Sequence, residues 1–268
     1  MPMRKTFSFL LALLVSLPLL AYAGTLTSWQ PIAPGIFLAT FPLMAKEGAL
    51  LVLKIDPHKV HFELCSAAAD AKLPLSLLQW AKTKQLLAVI NASMYLPDNR
   101  TSTGYMRQGM ILNNPRIAKK FGAFFVACPD NNSLPKATIL ERETRGLQEK
   151  LRHYHLVIQN YRLINSAKQV LWPKVGPKHT IAAVGLTAHG DILFLYSMHP
   201  TTPYTLAQEL LRLPLDIGTT MYVEGGTPAG LFVNHPAYLA LNLPFLFQSP
   251  LAPQLPNVLG IKSKTPSN

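Results

Sequence analysis

The apolar residues of this sequence occur in short runs that stop at turn-forming residues, and this pattern limits the fold more than any other feature. Residues 49–55 form one such run, which ends at Asp56-Pro57, and residues 86–91 form another, which enters a polar stretch. Runs of this length between turn signals are typical of strands. Helical patterns do not alternate regularly with them. The sequence therefore predicts an α+β fold: one domain of mixed or antiparallel β-sheets with a few flanking helices.

Turn and capping signals also predict individual elements. An apolar run on each side of a polar turn indicates a hairpin, and apolar residues at helical spacing after a capping residue indicate a helix. The predicted hairpins pair residues 49–55 with 60–64 and residues 180–186 with 192–197, and the predicted helices span residues 75–84 and 205–213.

The first 23 residues have the pattern of a secretory signal peptide. A positively charged start precedes an apolar run over residues 7–20, and Ala21-Tyr22-Ala23 offers a small-x-small cleavage site. The run is short for a helix that spans a bilayer, although an uncleaved N-terminal anchor remains the alternative. We expect residues 1–23 to be removed. The mature chain, residues 24–268, is then periplasmic or secreted, with no stable membrane insertion after cleavage.

The chain is strongly basic, with a formal net charge of +12. Such a charge favours anionic partners at the encounter stage. In residues 24–268 the cations are scattered, and only Lys119 and Lys120 are adjacent. There is no basic stripe interleaved with aromatic residues, so nucleic acid is not the predicted partner. An anionic phosphorylated glycan or glycolipid fits an exported protein better. A positive surface without any specific partner is the alternative.

Cysteine and histidine residues give little sign of a metal site. The chain has two cysteines, Cys65 and Cys128, which can form a disulfide in an oxidising compartment or stay as two separate thiols. Their separation is not a metal-binding motif. His153 and His155 lie on one side of an extended segment, but no acidic residue or cysteine accompanies them at ligand spacing. No metal ligand and no cofactor are predicted, and participation of a divalent metal ion stays open.

The most suggestive chemical feature is a carboxylate between a strand and two glycines. Glu224 directly follows an apolar strand and precedes Gly225 and Gly226. A carboxylate in such a tight turn would be exposed to a ligand, since glycines allow close approach. It could act as a general acid, a general base or a nucleophile. The alternative is a charged residue that merely begins a loop.

Two further strand ends carry polar side chains that suit a sugar phosphate. Asn91 and Tyr95 follow one strand, and Arg100 comes close behind, where it could bind a phosphate oxygen. Gln159 and Asn160 are adjacent amides at a second strand, and paired amides suit sugar hydroxyls. Ordinary polar turns would look similar.

In order and spacing, these segments resemble the phosphodiester glycosidase family. Its first block is a strand followed by Asn-Gly-Gly-x-Phe or a relative, and its last block is Asp-Gly-Gly or Glu-Gly-Gly. Ala92 and Ser93 replace two glycines here, and Glu224 stands where many members have Asp. The resemblance covers roughly residues 48–261. The four matching blocks run from Val89 to Tyr95, from Gln159 to Leu163, from Lys178 to Gly185 and from Glu224 to Gly226.

The resemblance implies hydrolysis of a sugar-1-phosphodiester to a free sugar and a phosphomonoester. The departing oxygen of a phosphodiester is a good leaving group, so one carboxylate could suffice as base or nucleophile. Glu224 and Asn91 are then the predicted catalytic residues. The predicted substrate-binding residues are Tyr95, Arg100, Gln159, Asn160, Lys178, Gly225 and Gly226, with Lys178 or Arg100 neutralising the phosphate. The alternative function is an envelope protein that binds anionic glycans without cleaving them.

Overall fold

The computed structural model describes residues 28–44, 48–69, 73–239 and 252–264. Strands hold 47% of these residues and helices 13%. Every pair of named strands in this part of the chain is antiparallel. The predicted antiparallel sheets with few helices are confirmed, although the fold is mostly β rather than a balanced α+β mixture. The predicted signal peptide, residues 1–23, lies outside the described residues, and export stays a prediction.

The larger sheet has eleven strands in the order β1-β2-β3-β12-β11-β13-β10-β6-β7, and β8 and β9 continue it from β10. Its strands are β1 (Gln30–Ala33), β2 (Ile36–Leu43), β3 (Gly48–Ile55), β6 (Met106–Gln108), β7 (Ile111–Asn114), β8 (Ala123–Pro129), β9 (Ala137–Glu141), β10 (Tyr154–Ile164), β11 (His179–Thr187), β12 (Ile192–Thr201) and β13 (Ile217–Gly225).

The smaller sheet has four strands in the order β14-β5-β15-β4. Its strands come from distant parts of the chain: β4 (Val60–Ser66), β5 (Ala88–Asn91), β14 (Leu231–Val233) and β15 (Asn257–Ser263). The two sheets face each other across the main hydrophobic core, to which both contribute. Phe62 of the smaller sheet meets Phe125 and Phe194 of the larger one edge to face.

The described residues include four helices, and each packs buried side chains against strands of a sheet. Helix α1 begins after a capping box, in which the Ser76 hydroxyl accepts the Gln79 N–H and the Gln79 side chain accepts the Ser76 N–H. Helix α3 packs Leu206 and Leu210 on the outer face of the larger sheet. No helix in the described part is long and apolar enough to cross a bilayer. The helices are α1 (Leu77–Lys84), α2 (Leu147–Arg152), α3 (Pro203–Arg212) and α4 (Pro236–Leu239).

One of the two predicted hairpins is present and the other is wrong. β11 and β12 pair through the predicted polar turn. β3 and β4 are both strands, but they do not pair with each other: β3 lies between β2 and β12 in the larger sheet, and β4 pairs with β15 in the smaller one. The turn at residues 56–59 therefore carries the chain from one sheet to the other, which a local apolar pattern does not distinguish from a hairpin.

Candidate active site

Hydrogen bonds join the three segments that the sequence indicates, but only two of them are strand ends. The predicted strand end before Gln159 is wrong, because β10 continues to Ile164. Asn91, at the end of β5, donates through Nδ2 to the Pro228 carbonyl (3.0 Å) and accepts the Gly230 N–H on Oδ1 (2.8 Å). Asn160, within β10, donates through Nδ2 to the Ala92 carbonyl (2.9 Å). The segments after β5, within β10 and after β13 therefore meet at one place.

Glu224 occupies this place, but it is buried rather than exposed. Only 7% of the residue is accessible to solvent, and it belongs to strand β13. Ala182 of β11 pairs with Glu224 and Ala183 pairs with Tyr222, which leaves Val223 as the extra residue of a β-bulge. A bulge redirects the side chains beside it and is common next to active sites. The predicted open turn is wrong because the strand continues through Glu224.

Burial controls the electrostatics of the Glu224 carboxyl. It raises the pKa from 4.5 to about 7, and the Gly225 N–H, which donates to Oε1 (2.9 Å), acts in the opposite direction. Loss of solvation disfavours the charged form of a carboxylic acid. Burial raises the pKa of the Tyr95 phenol, and the nearby charge of Glu224 raises it further. A carboxyl with a pKa near neutrality can take up or release a proton at the pH of most cells.

Tyr222 lies near Glu224, and His179 contacts Tyr222; sequence reasoning missed both. Burial raises the pKa of Tyr222, and the charge of Glu224 raises it further. The Tyr222 hydroxyl lies 3.1 Å from Nε2 of His179, whose own pKa is lowered by burial. A Cβ at Gly225 would overlap that hydroxyl and come within 2.6 Å of the His179 ring, so only glycine fits there. Spacing along the strand gave no signal for Tyr222, because the bulge places Tyr222 and Glu224 opposite adjacent residues of β11.

Gly226 forms the turn after the bulge. Its φ of +76° lies in the left-handed region, where residues with a Cβ are strained. Its N–H donates to the Thr180 carbonyl (2.9 Å), and the Thr180 hydroxyl donates to the Gly226 carbonyl (2.7 Å). These two bonds tie the turn to β11 and hold Glu224 in place.

The two predicted amides differ in what they can offer a ligand. Gln159 uses its Oε1 to accept the N–H groups of Tyr105 and Ala118 and its Nε2 to donate to the carbonyls of Ala118 and Phe121. It has no hydrogen-bonding capacity left. Asn160 faces the main core, and its Oδ1 is buried without a donor among the described residues. Asn160 therefore has an acceptor to spare, and Gln159 does not.

The two predicted phosphate-binding cations, Arg100 and Lys178, are exposed at the surface. The backbone of Arg100 is fixed by Asp98, whose carboxylate accepts its N–H (3.0 Å). Lys178 directly precedes His179, the first residue of β11. Neither cation changes the pKa of Glu224. Their side chains would have to reach a substrate from the rim of the site.

A row of aromatic rings leads away from Tyr222 across the outer face of the larger sheet. Trp172 stacks at 4.8 Å from Tyr222, Tyr161 lies 5.5 Å from Trp172, and Phe121 lies 4.3 Å from Tyr161. Each of these distances is measured between ring centroids. Such pairs pack tightly and specifically. The row braces the position of Tyr222, and hence the wall of the site.

The described residues include no group of three or more His, Cys, Asp or Glu side chains that could hold a metal ion. His153 instead contacts two carboxylates at the surface, with Asp130 at 3.0 Å and Glu149 at 3.5 Å. Cys65 and Cys128 are not joined in a disulfide. The Cys128 thiol donates to the Phe62 carbonyl (3.5 Å).

The chain belongs to the phosphodiester glycosidase family, whose model matches residues 84–262. This confirms the family that the order of the motifs indicated. No curated protein sequence matches the chain.

Two solved structures share the fold at low sequence identity. One is a hypothetical protein from Synechocystis, with 10% identity and a TM-score of 0.59 over 87% of this chain and 63% of that chain. The other is the catalytic domain of zebrafish N-acetylglucosamine-1-phosphodiester alpha-N-acetylglucosaminidase, auto-inhibited by its pro-peptide. It has 12% identity and a TM-score of 0.57 over 85% of this chain and 82% of that chain. These similarities extend the agreement from sequence motifs to the architecture of the two sheets.

Proposed function

We propose that the protein hydrolyses a sugar-1-phosphodiester to a free sugar and a phosphomonoester, with Glu224 as the carboxylate that acts at the anomeric carbon. The observation that carries this proposal is the buried Glu224, which lies beside a β-bulge and has a pKa of about 7. The family of the chain and the substrate named for the zebrafish enzyme support the type of linkage. We also propose that residues 1–23 direct the chain to the periplasm or the exterior.

The proposed reaction needs one well-placed base. Unprotonated Glu224 takes a proton from a water molecule, whose oxygen forms a bond to the anomeric carbon. The bond between that carbon and the bridging oxygen breaks, and its electron pair stays with the departing phosphomonoester. Because a phosphate oxygen is a weak base, it can leave without a strong general acid. Direct attack by the Glu224 carboxylate, followed by hydrolysis of the glycosyl-enzyme, is the other route that this geometry supports.

The surrounding residues divide into those that meet the substrate and those that hold the site. We assign the spare acceptor Oδ1 of Asn160 to a sugar hydroxyl and the hydroxyl of Tyr95 to the region around the anomeric carbon. Arg100 and Lys178 remain the proposed partners of the phosphate. Asn91 acts through the loop that it fixes, since both of its polar atoms bind backbone groups there.

Product analysis with a Glu224→Gln variant tests the proposal. The full chain is incubated with a panel of sugar-1-phosphodiesters, and free sugar and phosphomonoester are quantified. Removing the catalytic carboxylate should lower turnover by roughly 10²- to 10⁴-fold, because the amide cannot take up the proton. Glu209→Gln is the matched control, since Glu209 is also buried, at 6% exposure, but lies on α3.

Each alternative outcome has a distinct meaning. Undiminished turnover in Glu224→Gln would remove this residue from the reaction. Absence of product from every substrate, with saturable binding by calorimetry, would favour the non-catalytic binding of anionic glycans.

A further inference from the structure

The hairpin of β6 and β7 carries an apolar tip that is exposed to solvent. Met110 is 99% exposed, Ile111 52% and Leu112 47%. β7 is the last strand at its end of the larger sheet. Three consecutive exposed apolar residues on a projecting turn are unusual on the surface of a soluble protein and indicate a binding surface.

The base of this hairpin is firmly anchored, so the tip projects from a rigid support. The Gly109 N–H donates to the His155 carbonyl at 2.6 Å. Arg107, which pairs with Leu112 across the hairpin, donates through Nη2 to the carbonyls of Leu151 and Tyr154. A Cβ added at Gly109 would meet no atom within 4 Å, which places the turn in open space.

Three arginines lie in or beside this hairpin. Arg107 lies within it, with its guanidinium bound to backbone carbonyls at the base, and the exposed Arg116 lies two residues after the end of β7. Arg100 lies alongside, because its carbonyl accepts a hydrogen bond from Nδ2 of Asn113 in β7 (3.1 Å). The carboxylate of Asp98 holds the backbone of Arg100 in this neighbourhood. The formal net charge of the whole chain, +12, has the same sign.

An apolar tip close to the exposed Arg100 and Arg116, on a chain of net positive charge, complements an anionic lipid surface, where a negative layer of headgroups lies over hydrocarbon. A second copy of this chain fits less well, because it would bring the exposed Arg100 and Arg116 against their own counterparts. We propose that the β6–β7 hairpin docks the protein on anionic lipid bilayers, with Met110 entering the boundary between headgroups and acyl chains. Arg100 is also a proposed partner of the substrate phosphate, but docking through Met110 does not require turnover.

Vesicle binding tests the docking directly. The full chain is sedimented with vesicles of phosphatidylcholine alone and with vesicles of phosphatidylcholine and phosphatidylglycerol in equal amounts. Met110→Asp should weaken binding to the anionic vesicles by about 10-fold, because a charge cannot enter the acyl region at low cost. The control is Met44→Asp, since Met44 is 66% exposed after β2, toward the other end of the sheet. All variants contain residues 1–23, so this segment cannot account for a difference in vesicle binding between them.

A second measurement locates the inserted residue. In Met110→Trp, the introduced indole should be quenched by brominated phosphatidylcholine mixed with phosphatidylglycerol, and Met44→Trp should show only the quenching of the wild type. Absence of added quenching at position 110 would overturn the proposal. Concentration-dependent self-association that Met110→Asp abolishes, without any effect on vesicle binding, would overturn it in favour of a second copy.

Discussion

The buried carboxyl of Glu224 binds a proton more tightly in the folded protein than in the unfolded chain. Its pKa is about 7 when folded, against an ordinary value of 4.5. Below about pH 4.5 the group is protonated in both states, and its favourable contribution is fully present. As the pH rises through about 7, the folded state must hold a buried charge, so the contribution is lost. The folded protein therefore keeps a carboxylate suited to catalysis at a cost in stability.

Glu224→Gln should remove that cost, because glutamine stays neutral at every pH. At pH 8 the variant should be more stable than the wild type by about 3 kcal/mol, the free-energy equivalent of the pKa difference. At pH 4 the two proteins should be nearly equal in stability. Urea unfolding at both pH values measures the difference. A stability change that is the same at pH 4 and pH 8 would contradict the raised pKa.

Sequence reasoning identified Glu224 but not its burial, and the cause lies in the neighbouring strand. The two following glycines made the residue conspicuous. The bulge at Val223, however, depends on the register of β11, which is set by contacts across the sheet. Adjacent residues of a strand point to opposite faces, so Gln159 and Asn160 could not both face the site. Which of these two side chains faces the site depends on how the two sheets pack against each other.

At the scale of elements, Asn91 is the connection between the end of β5 and the loop after β13. Its side chain satisfies the Gly230 N–H and the Pro228 carbonyl, and the residue is buried. Asn91→Ala would leave both backbone groups without partners. Each buried unsatisfied group costs about 1–3 kcal/mol, so the unfolding free energy should fall by roughly 2–6 kcal/mol for the two groups together.

Chemical denaturation of Asn91→Ala checks this value against Asn132→Ala, a change at an exposed site that should alter stability by less than about 0.5 kcal/mol. Activity should fall with the stability of the loop. Full stability together with a large loss of turnover would instead favour a direct catalytic role for Asn91.

Local signals predicted the elements well where the element is itself local. The capping signal at Ser76 that starts α1 and the polar turn between β11 and β12 need only a few residues, and both elements are present. Strand pairing depends on distant partners. β4 pairs with β15 near the other end of the chain, and the apolar pattern of residues 49–64 does not indicate which strand β4 pairs with. This explains why two correctly predicted strands were joined into a hairpin that does not form.

At the scale of the whole molecule, the site exists only because both sheets contribute to it. β5 belongs to the smaller sheet, and β10 and β13 belong to the larger one. The bond from Asn160 to the Ala92 carbonyl crosses between them. The order of the motifs could indicate that these segments act together. The distances between the site residues and the unpaired Oδ1 of Asn160 depend on how the two sheets pack, and no single segment of the sequence determines that packing.

The net charge of +12 should govern how fast an anionic substrate is captured. Attraction between exposed charges is screened as salt shortens the Debye length from about 10 Å at 0.1 M to about 3 Å at 1 M. We expect kcat/KM for a sugar-1-phosphodiester to fall by roughly 10-fold from low to high salt, with little change in kcat. Steady-state kinetics over a sodium chloride series measure this.

Lys178→Ala, compared with Lys119→Ala, separates a local from a general attraction, since both lysines are exposed. If Lys178 binds the phosphate, its removal should lower kcat/KM at low salt and flatten the salt dependence, whereas the Lys119 variant should follow the wild type. Equal effects in the two variants would mean that the charge of the whole surface attracts the substrate, and that Lys178 has no special part in holding it. The comparison thus decides whether the basic character of the chain acts at the rim of the Glu224 site or over the molecule as a whole.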